Sequence, residues 1–267
     1  MSDNLPQPPV DMVMPQTAQL IATIGLWLPA TILFVAAAVH WRRSGSPIYL
    51  LGVFGGLIAA FNEPIADILL NCYHAEIGQW KVFSAFGRDI PLWAVGFYPI
   101  YFGGLTLLIY TLLLRGVTRN KFWIIAGVVV VGNVVLEWPV LPLHMYLYYG
   151  DQPFRVLGFP VLVGVLNTLG ATLGATLMAH FAGWLTGRRQ LLILVIPVLT
   201  DLAAYGVVLP HLLTLNSDAS ALVKYLGTTA GIVLGLAALD GIGRFSAHRF
   251  PAGIPAPVAS PTPLATG

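Results

Sequence analysis

The sequence predicts an all-α membrane protein, a polytopic bundle of seven transmembrane helices. Of its 267 residues, 57% are hydrophobic and only 9% are charged, and the mean hydropathy is +0.80. Soluble domains carry about 25% charged residues, so this composition is typical of the membrane class. A helix needs about 20 apolar residues to cross a bilayer. Seven stretches of roughly this length can be drawn: 17–40, 47–70, 91–114, 121–143, 157–185, 190–214 and 219–240.

The two chain ends differ in composition from the membrane domain, which we place at residues 17–243. Residues 1–16 and 244–267 are rich in proline, alanine or polar residues, which predicts disordered tails. The first tail has no basic n-region, and the apolar stretch after it is too long for a cleavable signal peptide. We therefore expect the first helix to act as an uncleaved signal anchor.

The second and third spans carry polar residues at helical spacing. Glu63 and Asp67 are four residues apart, so they share one face of the second helix. Pro64 beside them should bend that helix. Tyr98 and Tyr101, three residues apart, share a face of the third helix.

The loop between these spans, 71–90, mixes aromatic with polar residues, which is unusual for a simple linker. It either folds over the bundle as a lid or forms an amphipathic segment at the membrane surface. The loop 144–156 has the same character. We expect both loops on the side of the membrane where the acids cluster.

The later spans repeat the pattern. Asn133 and Glu137 are four residues apart in the fourth span, as are Asp201 and Tyr205 in the sixth. Asn167 adds a polar residue to the fifth. The fifth and seventh spans also carry small residues at a spacing that indicates close helix packing: Gly170, Gly174, Gly227, Gly231 and Gly235.

Four acids lie well inside predicted spans without an accompanying lysine or arginine: Glu63, Asp67, Glu137 and Asp201. A charged group at the centre of a bilayer costs about 2.5–3.5 kcal/mol on insertion scales, so such residues usually mark a functional site. Desolvation favours the neutral form of an acid that has no basic partner, and a neutral acid can donate a proton. The alternative is a purely structural role in hydrogen bonds between helices.

The distribution of basic residues predicts the orientation. Cytoplasmic loops of membrane proteins carry an excess of lysine and arginine. With seven spans, nine basic residues fall on the side of the C-terminus and four on the other side. We therefore expect a multi-pass protein of the cell membrane with its N-terminus outside and its C-terminus in the cytoplasm. Glu63, Asp67 and Glu137 then fall in the outer half of the membrane, and Asp201 falls near the middle.

Several functional classes lack the residues that they need. Lys224 lies at the edge of the last span rather than deep inside it, which argues against a retinal-binding protein. The sequence has no aspartate-rich magnesium motif, zinc-protease motif, serine-hydrolase elbow or P-loop. Cys72 is the only cysteine, which excludes an intramolecular disulfide and a cysteine metal cluster.

Three short motifs follow one another between Phe61 and Gly104. They are an E-P-x-x-D box, a Q-W-x-x-F loop and a G-R-x-I-P-x-W entry to the next helix, and a tyrosine-rich face follows them. This stretch resembles the AveC-like spirocyclase family of actinobacterial integral membrane proteins. The resemblance implies a membrane protein related to a cyclase that dehydrates and spiroketalises a polyketide. It carries over to Glu63, Asp67, Gln79, Trp80, Arg88, Pro91, Trp93 and Tyr98, whereas the rest of the chain is only generally similar.

The sequence thus predicts a membrane cyclase or isomerase for a lipophilic polyketide- or terpenoid-like substrate. Membrane-embedded acids would protonate the substrate, and aromatic side chains would stabilise the developing positive charge. A seven-helix terpene cyclase, or a non-catalytic binder or transporter of a lipophilic ligand, stays open as an alternative. We expect no cofactor, no metal and no nucleic-acid partner.

The predicted catalytic residues are the four embedded acids Glu63, Asp67, Glu137 and Asp201. The predicted substrate-binding residues are Asn62, Trp80, Arg88, Trp93, Tyr98, Tyr101, Asn133, Trp138, Asn167 and Tyr205.

Overall fold

The structure, a computed structural model, describes residues 5–253. The chain is mostly helical, with 69% of the described residues in helices, which confirms the helical part of the predicted fold. Within the described residues, six helices are long and apolar enough to cross a membrane. A seventh is added if the pair Gly187–Leu194 and Ile196–Val207, bent by 46°, counts as one span.

The α-helices, in chain order, are α1 Gln16–Ser44, α2 Ile48–Ala59, α3 Glu63–Leu69, α4 Leu92–Tyr98, α5 Thr106–Leu114, α6 Arg119–Glu137, α7 Val161–His180, α8 Ile196–Val207, α9 Leu209–Leu215 and α10 Ala221–Arg249. Tighter 3-10 segments lie between some of them, at Ala60–Asn62, Leu141–Leu143 and Gly187–Leu194. A π-helical segment, Pro99–Leu105, joins α4 to α5. The centre of the bundle is α7, which packs against α5, α6, α8 and α10.

The second span breaks where the sequence predicts a bend. Regular α-helix ends at Ala59 and resumes at Glu63 after one 3-10 turn, with Pro64 in the first turn of α3. Proline lacks a backbone N–H and is tolerated in the first turn of a helix, where that group would have no partner. Asn62 and Asp67, on either side of this proline, are both buried.

Small residues bring α7 close to its neighbours. A Cβ atom on Gly170 would lie 3.3 Å from Cα of Asp201, and one on Gly174 would lie 3.0 Å from the hydroxyl oxygen of Thr200. On the other side of α7, a Cβ atom on Gly231 of α10 would lie 2.9 Å from the Leu162 side chain. These contacts confirm the predicted packing role of the small residues, and they fix Asp201 against the central helix.

In the described part of the chain, six short strands form three antiparallel pairs at one end of the bundle, which we call the roof end. The pairs are β1 Cys72–His74 with β4 Tyr146–Tyr148, β2 Lys81–Ala85 with β3 Arg88–Pro91, and β5 Arg155–Val156 with β6 Phe159–Pro160.

These strands differ from the expectation of a purely helical chain. The β1–β4 pair joins the two aromatic loops, and its residues are mostly buried. Buried backbone groups need hydrogen-bond partners, and a strand pair supplies them. This part of both loops therefore forms a lid, whereas the β2–β3 hairpin is largely exposed on its outer face.

The predicted boundaries of both tails need correction. Met14 is buried, and its backbone N–H donates to the carbonyl oxygen of Ile77 at 2.8 Å, so this part of the first tail packs on the roof. At the other end, α10 continues to Arg249, six residues beyond the predicted end of the membrane domain at 243. Residues 1–4 and 254–267, which belong to the predicted tails, lie outside the described residues.

Candidate functional site

A cavity of about 350 Å³ lies directly below the β1–β4 pair. Its walls come from α1, α3, α4, α6, α7 and α8. The four acids predicted as catalytic all line it: Glu63, Asp67, Glu137 and Asp201. Acids from three separate spans therefore share one space.

His74 lies between two of these acids. Its Nδ1 atom is 3.2 Å from Oδ2 of Asp67, and its Nε2 atom is 3.5 Å from Oε1 of Glu63. The second carboxyl oxygen of Glu63 accepts a hydrogen bond from the Tyr98 hydroxyl. The spacing of the two acids on one face of α3 allows a single imidazole to reach both.

The environment of His74 favours its charged form. Burial acts to lower the pKa of His74, but the Asp67 carboxylate, its hydrogen bond to the ring and the Glu63 carboxylate act in the opposite direction. The result is a pKa above the ordinary value of 6.5. His74 is therefore a titratable partner of the two acids that a count of lysine and arginine does not reveal.

Glu137 occupies the opposite wall, under β4. Its Oε2 atom accepts hydrogen bonds from the hydroxyls of Tyr146 at 2.7 Å and Tyr148 at 3.0 Å. Alternate residues of a strand point to the same face, so both rings reach the same carboxyl group. Burial and the Glu137 carboxylate raise the pKa of both tyrosines well above 10, so both hydroxyls stay neutral donors.

Asp201 lies lower in the cavity, on α8. Its Oδ2 atom accepts a hydrogen bond of 2.8 Å from the side-chain amide of Asn62, which also donates to the carbonyl oxygen of Val198 at 3.0 Å. Asn62 itself is not among the lining residues. Tyr205, one turn further along α8, lines the cavity with Asp201.

Aromatic rings complete the wall beside His74. The Trp93 ring centroid lies 5.4 Å from that of His74 and 5.7 Å from that of Tyr146. Phe97, Tyr98 and Phe102 continue this wall along α4 and the π-helical segment. The indole N–H of Trp93 is buried and has no hydrogen-bond partner among the described residues.

Some predicted binding residues instead hold the scaffold together. Asn133 is buried outside the cavity, where its amide donates to the Tyr101 hydroxyl at 2.7 Å and its carbonyl oxygen accepts from Asn167 at 3.0 Å. Of Asn133, Tyr101 and Asn167, only Asn167 lines the cavity. Arg88 lies in the roof and donates to the hydroxyl of Tyr149 at 2.9 Å.

Two predicted tryptophans also lie away from the cavity. Trp80 is 40% exposed on the roof, where its backbone N–H donates to the side chain of Gln19. Trp138 is 38% exposed at the end of α6. Neither ring belongs to the cavity wall, so the expectation that both contact substrate is not supported by their position.

The sequence prediction missed His74, Cys72, Tyr146 and Tyr148 as lining residues. The signal was present in the period-two patterns Cys72 to His74 and Tyr146 to Tyr148, which place alternate side chains on one face of a strand. Only the pairing of the two strands reveals that this face is turned toward the acids.

Asp67, Cys72 and His74 could also hold a metal ion, because their ligand atoms all lie within 4.8 Å of one another. Imidazole, thiolate and carboxylate are ligands of zinc. Burial and the neighbouring carboxylates of Asp67 and Glu63 raise the pKa of the Cys72 thiol, which opposes thiolate formation in the absence of a metal. A metal would also replace the present hydrogen bond between His74 and Asp67.

Comparison of the chain with protein-family models, with curated proteins and with solved structures gives no match. The resemblance to the AveC-like spirocyclase family stays a prediction. Four of the residues that carry it line the cavity: Glu63, Asp67, Trp93 and Tyr98.

Proposed function

We propose that this chain is an integral membrane cyclase or isomerase that uses acid catalysis on a lipophilic polyketide- or terpenoid-like substrate. The observation that carries the proposal is the position of His74 between Glu63 and Asp67, at the wall of a cavity with aromatic sides. Such a reaction needs an acid that donates a proton, a group that stabilises the conjugate base of that acid, and a wall that stabilises a cation.

Glu63 is the proton donor in this proposal. After it transfers its proton to the substrate, its carboxylate is stabilised by the Tyr98 hydroxyl and by the N–H of protonated His74. Asp67 in turn balances the charge of His74 from the other side of the ring. The arrangement lowers the free energy of the ionised donor, so the proton can move reversibly.

The proton balance closes without a cofactor. In spiroketal formation, the donated proton leaves with a hydroxyl group as water, a second hydroxyl attacks the resulting oxocarbenium ion, and its proton passes to a carboxylate. In cyclisation of an alkene or epoxide, the proton that starts the reaction is matched by one lost from the product cation. The Glu137 carboxylate, across the cavity, is the proposed acceptor in both cases, and its proton returns to Glu63 before the next turnover.

The aromatic wall supports a cationic intermediate. Trp93, Tyr98 and Phe102 border the same space as the acids. An aromatic face attracts a cation by about 0.5–2 kcal/mol, and the effect is larger where water is excluded. The family resemblance favours spiroketal formation among the possible ring closures, because four of its residues border this cavity.

We further propose seven spans, with the bent pair Gly187–Leu194 and Ile196–Val207 as the sixth. The positions of its two ends support this count. The side chain of Asn216, just after α9, donates to the carbonyl oxygen of Leu69 near the roof. Helix α7 begins directly after β6 and runs for 20 residues, about 30 Å, so it ends at the opposite side of the bundle. The nine-to-four excess of basic residues favours a roof outside the cell. Reporter fusions test the orientation: a cytoplasmic signal at residue 5 would contradict it.

The enzyme proposal is tested by the lipophilic metabolites of a host with and without the chain. A new product with equal mass and one more ring supports cyclisation, and a product lighter by one water supports spiroketalisation. If closed vesicles only redistribute an unchanged compound across the membrane, the chain is a transporter instead. Retention of an unchanged compound by the purified protein would favour a binder.

A further inference from the structure

The exposed part of the cavity wall is confined to two helices. Among the described residues that line the cavity, only Ile21, Gly25 and Leu136 are exposed. Ile21 is 66% exposed and Leu136 is 45% exposed. Ile21 and Gly25 lie on α1 and Leu136 lies on α6, so the cavity opens on the side of the bundle where these two helices lie.

The packing of the helices explains this opening. Helix α1 packs chiefly against α2 and α4, whereas α6 packs against α7 and α10. We call the space between α1 and α6 at this level the mouth. The roof is closed by comparison, because Cys72, His74, Tyr146 and Tyr148 above the cavity are all buried.

The surface around the mouth is apolar. Leu20, Ile24 and Leu28 on α1 are exposed, as are Val131 and Val135 on α6. In a helix that crosses a membrane, exposed apolar side chains of this kind face hydrocarbon. Gly25 leaves the mouth unobstructed, because an added Cβ atom there would meet nothing within 4 Å.

The chemistry of the wall changes from the mouth to the interior. The mouth has aliphatic side chains, and the interior has the four acids, His74 and the unpaired indole N–H of Trp93. No lysine or arginine belongs to the wall in the described part of the chain. The wall therefore offers an anionic headgroup no permanent positive charge, and the ionised carboxylates among its acids would repel one. An uncharged hydroxyl or carbonyl oxygen could accept a hydrogen bond from the indole N–H or from a protonated carboxyl group. A hydroxyl could also donate a hydrogen bond to a carboxyl group.

We propose that the ligand enters sideways from the lipid through the mouth, and that it is an uncharged amphiphile. Its hydroxyl or carbonyl end reaches His74 and the acids, and its apolar chain lies between α1 and α6. This inference rests on the proposed function only in taking the acid cluster as the destination of the reactive end.

Photolabelling of the full chain in lipid nanodiscs tests the proposal. One probe is a long-chain alcohol with a diazirine beside the hydroxyl, the second carries the diazirine at the tail, and the third is the matching fatty acid. We expect the first probe to label cavity residues near Glu63 and the second to label α1 and α6 around Ile21 and Leu136. Excess unlabelled alcohol should abolish both signals, and the fatty acid should label the cavity far more weakly.

Gly25→Trp places a large ring in the mouth and should abolish cavity labelling by the alcohol. Gly127→Trp is the matched control, because Gly127 on α6 is exposed with nothing within 4 Å and does not line the cavity. Unchanged cavity labelling in Gly25→Trp would overturn the lateral route. Equal labelling by the fatty acid, or no labelling that alcohol competes for, would overturn the ligand class.

Labelling requires no turnover, so the experiments can contradict the enzyme proposal and the proposal of lateral ligand entry independently of each other. Glu63→Gln should keep the Gly25-dependent labelling and lose product formation. Gly25-dependent labelling in a protein that forms no product overturns the enzyme proposal alone. Product formation that survives Gly25→Trp in full overturns the lateral route alone.

Discussion

Replacement of Glu63 by glutamine separates a chemical from a structural role of this residue. The glutamine side chain has the same shape, and its carbonyl oxygen can accept from the Tyr98 hydroxyl. Loss of the Glu63 carboxylate favours the neutral form of His74, and the glutamine amide can donate to Nε2 of that neutral ring. The transferable proton is lost. We therefore expect the Glu63→Gln protein to fold and to bind ligand, while turnover falls by about 10²–10⁴-fold, which is the usual contribution of a general acid.

The contacts of Glu63 also indicate how much stability is lost when its polar atoms are removed. Glu63→Leu leaves two buried partners, the Tyr98 hydroxyl and the Nε2 atom of His74, without their present contact. Each buried polar group without a partner costs about 1–3 kcal/mol. Glu63→Leu should therefore lower the thermal stability clearly, whereas Glu63→Gln should change it little.

The assay compares product formation and the melting temperature in detergent for the two variants. Glu76→Gln is the matched control, because it makes the same chemical change in an acid that does not line the cavity. Its side chain accepts from the backbone N–H of Asp89, which glutamine can also do. Full product formation by Glu63→Gln would refute the assignment of Glu63 as the proton donor.

Three further results are expected. The pKa of folded His74 lies above 6.5, so the stability that His74 contributes is complete at acidic pH and is lost as the pH rises through the folded pKa. The difference in melting temperature between wild type and His74→Gln should therefore shrink over this pH range, with the exposed His144→Gln as control. The absence of a difference at every pH would contradict this prediction. Asn133→Ala should lower stability by about 1–3 kcal/mol without changing the product spectrum, and a changed spectrum would give Asn133 a part in binding. Dialysis against a chelator should leave the melting temperature and activity unchanged; a stoichiometric metal that Cys72→Ser abolishes would establish a metal site instead.

The helices and their polar faces could be predicted from the sequence because both depend on local spacing. The pair Glu63 and Asp67 at four-residue spacing required only helical periodicity, and the break at Pro64 required only the chemistry of proline. The same reasoning placed Glu137 in the outer half of the membrane and Asp201 near the middle. Depth and face are properties that one helix determines alone.

The roof could not be predicted in this way, because it depends on contacts between distant residues. His74 is paired with Tyr146 across the β1–β4 sheet, and neither strand is longer than three residues. A three-residue alternation occurs by chance in many loops, so it does not indicate a strand without its partner. Trp80 and Trp138 show the converse limit, since residue type suggested binding and neither residue lines the cavity.

The β1–β4 pair also determines when the cavity becomes complete during synthesis. In the proposed topology, Glu63 and Asp67 enter the membrane with the second span, and His74 follows directly behind them. The strand that holds His74 has no partner until Tyr146 to Tyr148 have been made, after two further spans, and Asp201 arrives later still. During this interval the acids of α3 lack their enclosed surroundings, which is a costly condition in hydrocarbon. Chains that end between the third and fourth spans should therefore be poor folding units and should be degraded rapidly, even though their helices are apolar enough to insert.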